Sequence, residues 1–303
     1  MINRTMGPVE WAMLILLSVV WGGSFFFYAV AVKELPTFTI VFLRVALGSA
    51  GLWLTAWAMG LLPPRRSGLW RDFLIMGLIN NAIPFSLIVW GQHEVASGLA
   101  AILNATTPFF TVLVANMLTA DEKLSWNRLL GAVIGLSGVA AMMGADILAA
   151  RQGSLLAQLA IVLAAVFYAF ASVFGRRFAT VPPLITAAGQ TTASSLILLP
   201  AMLVIDMPWR LSSPSLDVWL AIIGLAILCT SLAYILYFTI LKRAGATNIV
   251  LVTFLVPVSA ILLGIAFLGE TLDLHHIVGM ATIAMGLALI DGRLLALVKP
   301  RRA

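Results

Sequence analysis

Apolar residues along this chain come in long, nearly uninterrupted runs separated by short polar breaks. Ten such runs cover roughly 11–32, 37–59, 72–91, 96–118, 126–146, 155–177, 183–205, 217–240, 245–268 and 273–295. Each is about 20 residues, the length a helix needs to cross a hydrocarbon layer. The breaks carry Pro36, Pro63-Pro64, Asp121-Glu122-Lys123, Arg151-Gln152-Gly153, Pro182-Pro183, Pro208 and Pro214, as turns require. The pattern predicts an all-α integral membrane protein of ten transmembrane helices, with no room for a soluble domain. Ala29-Val30-Ala31 has the look of a signal-peptidase site. The apolar stretch before it is long, however, and the first run pairs with the sixth in a repeat, so it is kept as a helix.

That repeat organises the whole chain. The stretch from Asn104 to Gly138 has a second copy from Leu251 to Gly286: a proline inside an apolar run, a glutamate at its end, then a second run with glycines. Glu122 precedes Gly131 and Gly138 as Glu270 precedes Gly279 and Gly286, while Pro108 pairs with Pro257, Trp21 with Tyr168 and Pro36 with Pro183. All these offsets fall at 147 to 149, close to half the chain. The expected domains are therefore residues 1–150 and 151–303, a tandem duplication. Five helices per half is an odd number, so the second half enters the bilayer inverted relative to the first. Inverted repeats characterise many secondary transporters, with a central cavity between the halves and alternating access around it.

Composition agrees: 62% of residues are hydrophobic and 10% charged, against about 45–50% and 25% in soluble domains. The lipid bilayer is the implied partner. The net charge of +6 does not point to nucleic acid, because the basic residues sit in short loops. Fourteen Lys and Arg fall on the side holding both termini and the even-numbered loops, against Lys33, Arg151 and Arg210 on the other. By the positive-inside rule both termini are cytoplasmic. The single cysteine, Cys229, can build neither a disulfide framework nor a metal cluster. No metal or cofactor is expected.

Candidate site residues are polar or aromatic groups at mid-helix. Asn104, Thr107, Pro108 and Thr111 share one face of the fourth run. Asn80, Asn81 and Pro84 cluster on the third, where two adjacent amides must be satisfied. Thr230, Tyr234 and Tyr237 line the eighth, and Thr253 and Pro257 mark the ninth. Trp21 and Ser24, with Tyr168 and Ser172, offer stacking surfaces and hydroxyls. From these, Trp21, Ser24, Asn80, Asn81, Asn104, Thr107, Tyr168, Tyr234, Tyr237 and Thr253 are the expected substrate contacts. Pro84, Pro108 and Pro257 are the expected hinges, each removing a backbone donor. The bland alternative for Asn, Ser and Thr is a helix–helix bond of about 0.6 kcal/mol. Trp11, Trp70, Trp90, Trp126, Trp209 and Trp219 lie near helix ends and read as interfacial anchors. Arg44 stands roughly 10 Å inside its helix. It either attracts a substrate carboxylate or serves structurally, snorkelling or pairing with Glu94 or Glu270; reach favours the structural role. Gly131, Gly135 and Gly138 on helix 5, with Gly279 and Gly286 on helix 10, allow close approach and suggest a scaffold or a homodimer interface.

Ten helices in two halves, the Pro-to-Glu-to-Gly pattern, Trp21-Gly22-Gly23-Ser24-Phe25, Phe42-Leu43-Arg44, Leu118-Thr119-Ala120-Asp121-Glu122 and Leu268-Gly269-Glu270 together resemble the drug/metabolite transporter superfamily, EamA type. The resemblance implies an exporter of small metabolites and not which ones. Its overall look is similar to the aromatic amino acid exporters of bacteria. One departure is Arg44, whose second-half position falls near Gln190-Thr191.

Every Asp and Glu lies at a helix end or in a loop, and His93, His275 and His276 all fall on the external side. Proton-coupled pumps usually hold a carboxylate or histidine deep in the bundle, so transport without a buried carboxylate relay is expected. No HExxH, GxSxG or phosphate-loop motif is present, which argues against a membrane-embedded enzyme. No charge ring or carbonyl-rich filter suggests a channel. A non-transporting scaffold gives no reason for mid-span amides and prolines. The expected function is export of amino acids, aromatic and other neutral ones; drugs, nucleosides or other metabolites are the alternative cargo.

Overall fold

A computed structural model of the chain describes residues 6–64, 67–119, 125–148, 155–249 and 251–291. Every element among the described residues is helical. In chain order they are α1 Pro8–Ala31, α2 Thr37–Ala58, α3 Ser67–Gly91, α4 Ser97–Leu118, α5 Trp126–Leu148, α6 Leu155–Phe178, α7 Pro183–Arg210, α8 Leu216–Ala244, α9 Val252–Leu268 and α10 Leu274–Asp291. A one-turn helix, Ala246–Ile249, precedes α9. Seven of these (α1, α2, α3, α4, α6, α7 and α8) are long and apolar enough to cross a membrane, and α9 and α10 are shorter apolar helices. The outward faces stay apolar: Leu54, Trp57, Val204, Leu220 and Phe267 are all more than half exposed. Water would oppose such a surface at about 25 cal/mol per Å², whereas lipid accepts it. The chain is a multi-pass membrane protein.

The apolar runs are not uniform helices, and the departures follow from sequence. α3 widens into a π-turn at Leu78–Ala82, just before Pro84. α4 breaks at Ala105 and Thr106, just before Pro108. α7 carries Pro200 and then a π-turn at Met202–Asp206. A proline removes the donor that the carbonyl four residues back would have used. The carbonyls that lose this i+4 donor belong to Asn80, Asn104 and Thr253 (ahead of Pro84, Pro108 and Pro257). At the α4 break the hydroxyls repair the loss: Thr107 donates to the Asn104 carbonyl at 2.8 Å and Thr106 to the Leu103 carbonyl at 2.7 Å.

The two halves of the sequence interlock. α1 packs on α9, α2 on α7 and α8, α3 on α6 and α7, α4 on α6 and α9, and α5 on α10. Two close approaches depend on glycine. A Cβ at Gly22 would sit 2.9 Å from the Ala260 backbone nitrogen, so only glycine lets α1 seat on α9 there. A Cβ at Gly131 would lie 2.6 Å from the Gly286 carbonyl oxygen. Gly131, Gly138 and Gly286 thus serve the α5–α10 contact within one chain, Gly135 makes room for the Phe109 ring of α4, and Leu130, Val133, Val278 and Met285 remain on the outer surface.

Candidate functional site

One end of the bundle is closed by carboxylates that reach across the halves to helix N-termini. Glu34, after α1, accepts the Ser215 backbone N–H that opens α8 at 2.7 Å. Asp206, at the end of α7, accepts from the Thr39 N–H at 2.6 Å and its hydroxyl at 2.9 Å in the first turn of α2. Glu270, after α9, accepts the Ser97 and Gly98 N–H groups that begin α4, at 2.7 and 3.0 Å. The first turn of a helix has N–H groups without partners and a positive dipole end, so a carboxylate satisfies both needs. Gln92 adds a bond to the Phe25 carbonyl at 2.9 Å, and His93 lies 3.4 Å from the Thr37 hydroxyl. The Ser215 amide holds the Glu34 carboxyl below its usual range, and burial pushes the His93 imidazole down.

From mid-bundle a cavity of about 680 Å³ extends to the opposite end, where Phe178, Val181 and Pro183 of the α6–α7 connection and Leu241 near the end of α8 line it. It collects Trp21, Ser24, Asn80, Asn104, Thr107, Tyr168, Tyr234, Tyr237 and Thr253, nine of the ten side chains singled out from sequence, with Pro108 and Pro257. The rings gather in pairs: Trp21 with Tyr237 at 5.6 Å between centroids, Tyr168 with Phe85 at 6.5 Å, and Tyr234 with Phe238 at 6.1 Å. Two predicted residues stand elsewhere. Asn81 is fully buried and donates to the Ser194 hydroxyl at 3.1 Å, tying α3 to α7. Pro84 is buried behind the wall. Neighbouring positions on a helix do not share a face, so Asn80 reaches the cavity while Asn81 turns behind it onto Ser194. Glu122 lies outside the described residues.

The polar lining divides into committed and uncommitted groups. Asn80 donates to the Gln190 side-chain oxygen at 3.1 Å, and the Gln190 amide donates to the Tyr234 hydroxyl at 2.9 Å, a bridge from α3 through α7 to α8. By contrast, the Asn104 side-chain oxygen is buried without a partner among the described residues. Tyr237 and Thr253 also line the cavity, Thr253 being engaged itself. Thr107 spends its hydroxyl on the α4 break.

Arg44 makes neither of the expected structural contacts. It neither snorkels nor pairs with Glu94 or Glu270; it is 5% exposed and lines the cavity. Its Nε donates to the Thr230 hydroxyl at 3.1 Å and Nη1 donates to the Tyr28 hydroxyl. Nη2 makes two long contacts, 3.5 Å to Ser24 Oγ and 3.4 Å to the Cys229 carbonyl. The Phe85 ring lies 4.0 Å from the guanidinium carbon. Thr230 can turn toward Arg44 because it sits in the π-helical stretch Gly224–Leu232, where its hydroxyl bonds the Leu225 carbonyl five residues back at 2.9 Å. Gln190 was visible from sequence only as the position matching Arg44, and the structure places both in the same wall. Away from the cavity, Asp273, His275 and His276 bring ligand-type atoms within 4.8 Å at the start of α10. There His276 Nδ1 accepts the Asp273 N–H at 3.3 Å, as a helix cap does.

Interlocked halves around a cavity that is sealed at one end and open at the other have the form of a membrane carrier. The chain belongs to the EamA-like transporter family, which it matches over residues 10–144 and 155–291. Relatives are named as transporters. The uncharacterized inner membrane transporter YedA of Escherichia coli (strain K12) is 26% identical, covering 95% of this chain and 92% of that one. The uncharacterized transporter YoaV of Bacillus subtilis (strain 168) is 22% identical, covering 90% and 94%. A probable terminal-alkyne amino-acid exporter of Streptantibioticus cattleyicolor is 26% identical over 94% of both. A solved crystal structure, 21% identical, superposes with a TM-score of 0.69 over 99% of this chain and 100% of that chain, a likeness of fold.

Proposed function

We propose that this chain exports small metabolites, amino acids with aromatic and other neutral side chains, across a bacterial inner membrane by alternating access. The observation that carries the reading is the cavity, roomy enough for one such molecule, lined by rings and polar groups, and open to one end only. Trp21, Tyr168 and Tyr237 supply stacking surface, while Asn104 and Thr253 hold the polar end of the cargo. All ten helices span the bilayer in this reading, as an inverted pair of five-helix units, residues 1–150 and 151–303. Its support is directional: α1 ends and α2 begins at the sealed end, whereas α7 ends there and α6 ends at the open one. The Lys and Arg bias makes the open end cytoplasmic, with both termini, so cargo is loaded from inside. The name of the Streptantibioticus relative favours amino acids over drugs or nucleosides. Release requires the carboxylate seals to part while Pro108 and Pro257 let α4 and α9 bend. The outer faces of α5 and α10 meet lipid, or a second copy if the chain dimerises.

Counterflow of labelled amino acids in proteoliposomes tests the reading; movement of none of them overturns it. No acidic side chain lines the cavity among the described residues, so flux is expected with and without a pH gradient. Strict dependence on the gradient would mean a proton relay that this cavity does not supply.

A further inference from the structure

The cavity holds one formal charge among its described lining residues, the Arg44 cation, and no Asp or Glu to balance it. A buried guanidinium without a counter-ion is costly. Inside a membrane, basic side chains commonly meet a carboxylate or escape to the interface. Arg44 does neither. Its acceptors are all neutral, and two of the four lie at 3.4 Å or more. A guanidinium has five N–H donors in a planar fork, so at least one here is unengaged. Within the same lining, the Asn104 side-chain oxygen has no partner among the described residues.

From this we infer that the cargo carries a single carboxylate that docks on Arg44, and that an ammonium group is dispensable for binding. The inference rests on the cavity being the transport site. A carboxylate can take the unengaged N–H together with an Nη2 hydrogen now spent on a long contact, and it cancels one charge, whereas a dianionic phosphate would leave the site with an excess negative charge. A zwitterion's ammonium finds only neutral oxygens and ring faces such as Trp21 and Tyr237. Its removal therefore loses little, whereas loss of the carboxylate loses the one charge-assisted contact. Aromatic and apolar monocarboxylates thus belong to the substrate class alongside amino acids.

The test is competition against labelled phenylalanine counterflow by 3-phenylpropionate, N-acetylphenylalanine, phenylalaninamide and phenethylamine, together with direct flux of labelled 3-phenylpropionate. The two carboxylates are expected to compete at least as well as phenylalanine. The amide and amine should be weaker by about tenfold or more, the loss of one charge-assisted bond. Arg44→Gln is expected to abolish that preference and Arg44→Lys to retain it in weakened form. Thermal stabilisation of the detergent-purified chain by each compound provides the same comparison without transport, and it reports whether each variant is folded. Flux of phenylpropionate without flux of phenylalanine would sustain this inference and overturn the amino acid reading. Flux of phenylalanine with equal competition by phenethylamine would do the reverse. Stabilisation by neither carboxylate, or a preference unchanged in folded Arg44→Gln, overturns the inference.

Discussion

The two ends of the bundle are joined across the halves by different chemistry. At the sealed end, Glu34, Asp206 and Glu270 accept backbone N–H groups in the first turns of α8, α2 and α4. At the open end the links are side chain to side chain: Arg243 with Glu10 at 2.8 Å and Arg177 with Asp72 at 3.6 Å, both arginines more than half exposed. Exposed ion pairs of that kind contribute about 0–1 kcal/mol, whereas a charged acceptor on unpartnered helix amides contributes more and fixes geometry. The sealed end is therefore a latch and the open end a loose contact. Repeat arithmetic shows why the ends differ. The duplicate of Glu270 is Glu122, but at the offset of 147 set by Pro36 and Pro183 the position matching Glu34 is Val181 and that matching Asp206 is Met59. Two of the three latching acids have no copy in the opposite half.

The comparison can be broken most directly at Glu270. Glu270→Ala leaves two N–H groups of α4 unsatisfied, and about 2–3 kcal/mol should be lost from the sealed arrangement. With Ser172→Cys as reporter in a Cys229→Ala background, an impermeant thiol reagent applied on the sealed side should gain access in Glu270→Ala. Unchanged protection would show that the carboxylate is not a latch. Gly286→Val addresses a region apart from both ends. Overpacking against Gly131 is expected to cost about 2 kcal/mol, read as a lower melting temperature with no change in which side labels the reporter. A smaller effect is expected at the bridge between the halves. Gln190→Ala should weaken cargo binding or stability by about 1 kcal/mol by freeing Asn80 and Tyr234, and no change in either quantity would make the bridge incidental. The smallest concerns pH. Glu34 and His93 both titrate below their ordinary values of 4.5 and 6.5. A depressed folded value means that each group's contribution is present above its unfolded pKa and lost as pH falls through the folded one. Acidification should therefore loosen the sealed side, the imidazole first and the carboxylate later. Glu34→Gln at neutral pH should reproduce the later step in the labelling assay, and tighter protection in acid would reverse the sign argued here.

Much of the cavity was legible because a membrane makes polar groups conspicuous. Trp21, Asn80, Asn104, Tyr168 and Tyr234 stand out where every neighbour is apolar, and proline phase marks where helices must break. Burial alone did not separate Asn80 from Asn81, since both satisfy the same sequence rule and which of the two faces the cavity is set by how α3 packs on its neighbours. The carboxylates read as ordinary loop residues, because their partners are backbone amides more than 165 positions away in sequence. The partners of Arg44 were out of sight for a related reason: its acceptors on α8 lie 185 and 186 residues on and none is acidic.

Hydrophobic period, composition and self-similarity by themselves determined a duplicated helical membrane protein, the positions of its helices, and many of the polar and aromatic residues that line its cavity. These are local or statistical properties, readable wherever lipid excludes polar groups. Which end is shut, what each acid holds, and that Arg44 faces the cavity were decided by tertiary structure. Those facts are relations between helices from opposite halves, and the pairing of distant amides, carboxylates and rings exists only once the two halves have closed on each other.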